Sequence, residues 1–190
     1  MKAKDSNMKE RVIHCAGEYI LQRGIRGWNM DQLAAAAGIT KRTLYKIIVS
    51  KEDLVEKVVL GFIRSVQERI GEIVGAESDF YNAMEKLISE FPMLVNSMSS
   101  RSMQEIFLEY PSIEKRVFER RDELTAELQA FFQRGIRNGF IRSDLEPAFI
   151  LQLFQAVVMY FIRFDDRGNK HSEKFRAAFD CLINGIRGDR

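Results

Sequence analysis

Apolar residues recur at intervals of three and four along most of this chain, the spacing of helices that bury one face. The first run, from about Asn7 to Arg23, sets Ile13, Ala16 and Ile20 on one face with Val12 and Tyr19 beside it, and Gly24 stops it. Two very short segments follow. A long helix is predicted after Ser50, carried by Leu54, Val55, Val58, Val59, Phe62, Ile63, Val66, Ile70 and Ile73, and ended by Gly75. The next helix, about Ser78–Met98, contains Pro92 as an expected kink or break. A short segment at Met103–Glu109 stops at Tyr110-Pro111, because a residue before proline avoids the α region. Helix Ser112–Asn138 turns Val117, Leu124, Leu128 and Phe131 inward and closes at Asn138-Gly139. Pro147 falls in the first turn of an apolar helix. A polar loop is expected at Asp166–Lys170, and a last helix at about Ser172–Ile186 with a stripe of Phe175, Ala178, Phe179, Leu182, Ile183 and Ile186. No strand pattern or internal repeat appears. The expected fold is all-α with about nine helices.

Composition changes this picture little. Apolar residues make up 46% and charged residues 29%, a mix that supplies a core for an ordinary globular protein. The charge is unevenly spread. Residues 1–54 hold ten Lys/Arg against six Asp/Glu, whereas residues 55–190 hold nineteen against twenty-one. An anionic partner at the N-terminal end is plausible on that bias. Cys15 and Cys181 are expected as two reduced, buried thiols, because two distant cysteines build neither a disulfide framework nor a zinc site. The polar N-terminus has no apolar core of a signal peptide, so a cytoplasmic location is the default. Ala148 to Ile162 is apolar apart from Gln152 and Gln155, but it is shorter than the ~20 residues that cross a bilayer. Such a helix should be buried all round, and no membrane partner is expected.

The segment Asn29 to Leu54 carries the chemistry. Asn29 is a good N-cap with Gln32 at the capping-box position. Ala34 to Ala37 allow a second helix to approach, Gly38 suits a left-handed turn, and Ile39 plugs the corner. Thr40 caps the second helix, and Leu44 falls inward. The spacing Ala34, Gly38, Leu44 joins two helices by a tight turn. The outward residues of the second helix are Lys41, Arg42, Thr43, Tyr45 and Lys46, the set a recognition helix presents to a major groove. Arg42 suits guanine. Thr40, Tyr45 and Lys51 suit phosphates, which position without specifying. Ser50 caps the following helix with Asp53 at the box position. A plainer alternative is a helical corner with a solvated basic face. Corner spacing and base-reading side chains together favour double-stranded DNA.

These residues resemble the TetR family of bacterial repressors. The resemblance is close over residues 13–54: Ile13, Ala16, Ile20 and Gly24 in the first helix, then Leu33-Ala34, Ala37-Gly38-Ile39-Thr40 and Thr43-Leu44-Tyr45, then Ser50-Lys51-Glu52-Asp53-Leu54. Ile48 stands where the family usually has Phe, Arg42 where it often has Gly, and Asn29 where Thr is common; Asn can likewise cap and reach a phosphate. The resemblance implies a DNA-binding domain at 1–54 and a ligand-sensing, dimerising domain at 55–190. It implies a palindromic operator, release by a small hydrophobic effector, and no cofactor.

Two apolar helices near the C-terminus would pair as a four-helix bundle in a homodimer. Phe62, Met84, Phe91, Met98, Met103, Phe107, Tyr110, Phe118 and Phe154 are candidates to line an effector pocket, with plain core packing as the alternative. His14 is expected on a helix surface and His171 in a loop, and neither has ligand-like neighbours. No nucleophile, phosphate-binding loop or metal motif is evident. An enzyme would leave the basic helix unexplained. A DNA-bound architectural or protein-interaction factor without an effector is the remaining alternative.

Overall fold

The computed structural model describes the backbone of residues 2–76, 80–96, 100–164 and 171–188, and the side chains of 7–75, 80–90, 101–119, 126–161 and 173–188. Among the described residues there are nine α-helices: α1 Lys2–Arg23, α2 Met30–Ala36, α3 Lys41–Ile47, α4 Lys51–Ala76, α5 Phe80–Asn96, α6 Ser100–Glu109, α7 Pro111–Arg137, α8 Pro147–Phe164 and α9 His171–Ile186. The expected all-α class holds. Phe91 and Met98 have side chains outside the described residues, as does the loop Asp166–Lys170.

Local punctuation sets most boundaries. Pro111 opens α7 in the position where a missing N–H costs nothing. At the other end of α7, Gly139 adopts φ +73°. Its N–H donates to Ile136 O (3.0 Å), and the Phe140 N–H to Gly135 O (2.9 Å), which closes the helix. Three expectations need correction. α5 runs unbroken through Pro92. A mid-helix proline removes one backbone hydrogen bond, and α5 is held by the buried Ala83, Met84 and Leu87 upstream of it. His171 opens α9 instead of lying in a loop. Both cysteines are free, but Cys15 is only half-buried and Cys181 is exposed, since Cys181 lies off the buried face formed by Phe175, Phe179 and Ile186.

Packing divides the chain into two compact units, Met1–Arg64 with Arg101–Lys115, and Ser65–Ser100 with Arg116–Arg190. In the first, α1 buries Val12, Ala16 and Ile20 completely, four residues apart as a helical seam requires. Ile13 is half-buried, one position off the expected centre. The first half of α4 adds Leu54, Val55, Val58 and Val59. α6 adds Met103, Ile106 and Phe107, and its buried Ser102 hydroxyl donates to Ile20 O at 3.2 Å.

The second unit has a core of Ile70, Ile73, Val74, Phe80, Met84, Phe131, Phe132, Ile150, Leu151 and Ile186, among others. Phe80 stacks between Phe131 (4.7 Å between centroids) and Phe140 (5.3 Å). Phe161, Phe175 and Phe179 form a second cluster between α8 and α9. Ile141 and Arg187 make an isolated antiparallel bridge; a single residue pair has no periodicity for a sequence to show. α8 is not buried all round. It buries Ile150, Leu151 and Phe161 but leaves Phe149 and Tyr160 exposed. No described helix is long and apolar enough to cross a membrane.

Candidate nucleic-acid interface

The α2–α3 corner is built by short-range bonds. Asn29 Oδ1 accepts from the N–H groups of Asp31 and Gln32, both at 3.0 Å, and Gln32 Oε1 accepts from the Asn29 N–H at 3.0 Å. This is the expected capping box. It uses the amide oxygen of the exposed Asn29 and leaves its –NH2 to donate outward. At the other end of α2, Gly38 has φ +65°. The Ile39 N–H donates to Ala34 O and the Gly38 N–H to Ala35 O, each at 3.0 Å, a Schellman closure. An added Cβ at Gly38 would meet nothing within 4 Å. Backbone conformation, not crowding, selects glycine there.

Thr40 then caps α3, its Oγ1 accepting from the Thr43 N–H at 3.2 Å. The two threonine hydroxyls are 2.9 Å apart. Leu44 is fully buried, with Leu33, Ala34, Ala37 and Ile48 buried around the corner. Burying a leucine contributes roughly 1.5–3 kcal/mol, so Leu44 fixes which face of α3 points outward. Ile48, where a bulkier phenylalanine was the expected type, is itself 2% exposed and fills its place.

The outward face carries the predicted cations, with a division among them. Arg42 and Lys46 are exposed. Tyr45 is half exposed beside them, at 49%. Lys41 is exposed too, but its ammonium lies 2.9 Å from Asp31 Oδ2 at the start of α2. That hydrogen bond and charge raise the Lys41 pKa above its ordinary value. Lys41 therefore pins α3 to α2 and neutralises a carboxylate that would repel phosphate.

Lys51 turns its ammonium onto carbonyls of the chain itself. Its Nζ donates to Ile25 O at 2.7 Å and Trp28 O at 2.9 Å. It stands 4.1 Å from the centroid of the Trp28 ring. Burial lowers its pKa, and the nearby Glu109 charge opposes that. Ser50 caps α4 by accepting from the Asp53 N–H at 3.1 Å, while the Asp53 carboxylate accepts from the Val49 N–H at 3.1 Å. Burial alone would raise the Asp53 carboxyl, but bonds from Lys57 and Val49 outweigh it and hold the pKa below its usual value. Sequence reasoning missed two contributors here. One is Trp28, buried at 4%. The other is Glu109, which accepts from Arg26 Nε (3.0 Å) and Nη2 (2.5 Å) across 83 positions of sequence.

The seven described effector-pocket candidates are scattered. Phe62, Met103, Phe107 and Tyr110 belong to the first unit, and Met84, Phe118 and Phe154 to the second. Met103, Phe107 and Met84 are buried, and Phe154 packs between the two clusters of the second unit. A partly open apolar pocket of about 90 Å³ lies in the second unit, lined by Phe80, Tyr81, Met84, Phe140, Ile141, Ile183, Ile186 and Arg187. Of the described candidates, Met84 reaches it. Among the described residues, no cluster of His, Cys, Asp and Glu could hold a metal ion. His14 is exposed on α1, 3.8 Å from Glu18.

Comparison with known proteins agrees with this geometry. The family model of bacterial regulatory proteins of the tetR family matches residues 13–58. The transcriptional repressor KstR2 of Rhodococcus jostii is 25% identical over 146 residues, covering 74% of this chain and 71% of that protein. A TetR/AcrR-family regulator from Thermobifida fusca superposes with a TM-score of 0.76 at 22% identity, covering 95% of this chain and 99% of its own. FadR from Bacillus subtilis, in complex with stearoyl-CoA, gives 0.74 at 17%, covering 94% and 99%. The reading head, residues 13–58, thus matches the tetR family of bacterial regulatory proteins, and the chain shares the helical fold of these regulators.

Proposed function

We propose that this protein is a cytoplasmic, homodimeric repressor that reads a palindromic operator through α3 and leaves it when a small hydrophobic ligand binds. The observation that carries the DNA reading is the exposed pair Arg42 and Lys46 on a helix whose opposite face is locked by buried Leu44. Arg42 is the base reader, bidentate to guanine. Thr40, Thr43, Tyr45, Lys46 and the Asn29 amide hold phosphates. Residues 1–54 contain the reading head, and residues 55–190 sense the ligand and dimerise. The exposed Phe149 and Tyr160 of α8 support pairing through α8 and α9, which would bury that face against a second copy. Repression and a hydrophobic ligand are supported by the likeness to a repressor and to a regulator that holds stearoyl-CoA.

The alternative is a DNA-bound factor without an effector. The pocket of about 90 Å³ described above is by itself below the ~300–1,000 Å³ of typical ligand sites. Selection of bound DNA from a random pool tests the first reading. A palindrome with half-sites about one helical turn apart is expected. Failure to enrich any sequence would refute it. Titrating the selected complex with long-chain acyl-CoA then separates the readings: lost operator affinity supports an effector, and unchanged affinity across a panel of hydrophobic ligands supports the factor.

A further inference from the structure

We propose that Lys51 is a positioning residue of the DNA-reading head, not a phosphate contact: its ammonium ties together the two ends of the helix-turn-helix. This rests on the DNA-binding reading of α2 and α3.

The loop 24–29 precedes the corner, and Lys51 follows it. Loop carbonyls have no helical partner and need donors from elsewhere. Those of Ile25 and Trp28 converge on one point, and Lys51 Nζ occupies it at 2.7 and 2.9 Å. Turning the ammonium out to a phosphate would strip both carbonyls of that donor. The loop is shaped for this approach. At Gly27, an added Cβ would lie 2.3 Å from Arg23 O, so the chain folds back too tightly there for any side chain.

Trp28 supplies the third contact. Its indole is buried, and Nε1 has no hydrogen-bond partner among the described residues. The residue is therefore held by its ring, which takes the ammonium at 4.1 Å on its face and Tyr19 at 6.0 Å. Trp28 directly precedes Asn29, the cap of α2. A cation in the first turn also runs against the helix dipole, and the following residues, Glu52 and Asp53, are acidic as that turn prefers. Lys51 departs from the helix rule because its partners lie outside the helix. Arg26, two residues before Trp28, is tied in turn to Glu109. Between these ties the loop has little freedom, and α2 starts from a fixed point.

The test compares Lys51→Met with Lys46→Met in the full-length protein on the DNA selected by the wild type. Affinity is measured against salt, and folding by far-UV circular dichroism. Trp28 is the chain's only tryptophan, so emission reports the surroundings of this one ring. A lost phosphate contact lowers the magnitude of the log K against log salt slope by about 0.9 per contact, and that is expected for Lys46→Met. For Lys51→Met we expect an affinity loss of about tenfold or more, a slope within about 0.3 of wild type, and an altered Trp28 emission in a folded protein. A slope reduced as in Lys46→Met would overturn the proposal. So would unchanged affinity of the folded variant with only a lower melting temperature. If Lys51→Met does not fold, Lys51→Gln replaces it, because its amide donates to the carbonyls without charge; the slope should again match wild type. If wild type selects no DNA, the DNA-binding reading itself fails, separately from this inference.

Discussion

Arg42 and Lys46 lie four residues apart on α3 and are both exposed, yet the chemistry of their heads differs. A guanidinium offers two parallel donors that match guanine O6 and N7, whereas an ammonium acts as a point charge. Arg42→Ala should therefore relax preference at one base position per half-site, by about tenfold or more, as read by binding to a set of single-base operator variants. Lys46→Ala should weaken all variants alike. Equal losses across every sequence for Arg42→Ala would remove its role as reader. Asp53 makes a prediction in pH. Its carboxyl titrates below its ordinary value of 3.8 when folded, so the stability it contributes is present above the unfolded pKa and is lost as pH falls through the folded one. The melting-temperature gap between wild type and Asp53→Asn should be open at pH 6 and narrow below about pH 4. A gap that is constant down to pH 2 would show that charge is not what Asp53 contributes.

Among the elements, α2 and α3 are too short to persist alone, since isolated helices below ~12–15 residues are marginal in water. Each has seven residues. Caps at both ends and the buried Leu33 and Leu44 compensate. Gly38 is the sharpest probe of the turn between them. With no atom within 4 Å of a built Cβ, Gly38→Ala carries only the cost of a left-handed backbone, about 1–2 kcal/mol. Denaturant unfolding should report that loss, and a neutral result would mean that the turn rearranges. Nearly all of this corner was legible in the chain, because its bonds span two to five residues: Asn29 to Gln32, Ile39 to Ala34, Thr40 to Thr43. The break offered at Pro92 does not occur, for the converse reason. A proline's local cost is visible in sequence, but the packing of α5 that outweighs it is not.

For the whole molecule, the open question is what covers α8. Phe149 and Tyr160 are 47% and 59% exposed on a helix otherwise rich in apolar residues. If a second copy covers them, Tyr160→Glu combined with Phe149→Glu should yield monomers in sedimentation velocity. Operator affinity should fall with dimerisation, because two recognition helices must act together on a palindrome. A double variant that stays dimeric would place the interface elsewhere. The proposed effector site is less developed than the reading head. Its nine residues were chosen for size and softness, properties that core and pocket share, and the fold distributes the described ones over two packing units.

By itself, the sequence determined the all-α class, the α2–α3 corner and the face of α3 that meets solvent. Those features follow from periodicity, caps and one left-handed glycine, which act between near neighbours. The tertiary structure decided where the charges of that corner go. Lys41 reads as a free cation until folding brings Asp31 beside it. Lys51 reads as a phosphate clamp until the chain returns carbonyls from 26 and 23 residues earlier to its ammonium. Glu109 reads as part of a distant helix until α6 packs on α1 and brings it to Arg26. A charged side chain's role depends on what lies within about 4 Å of its head, and for these residues only the folded chain supplies that neighbour.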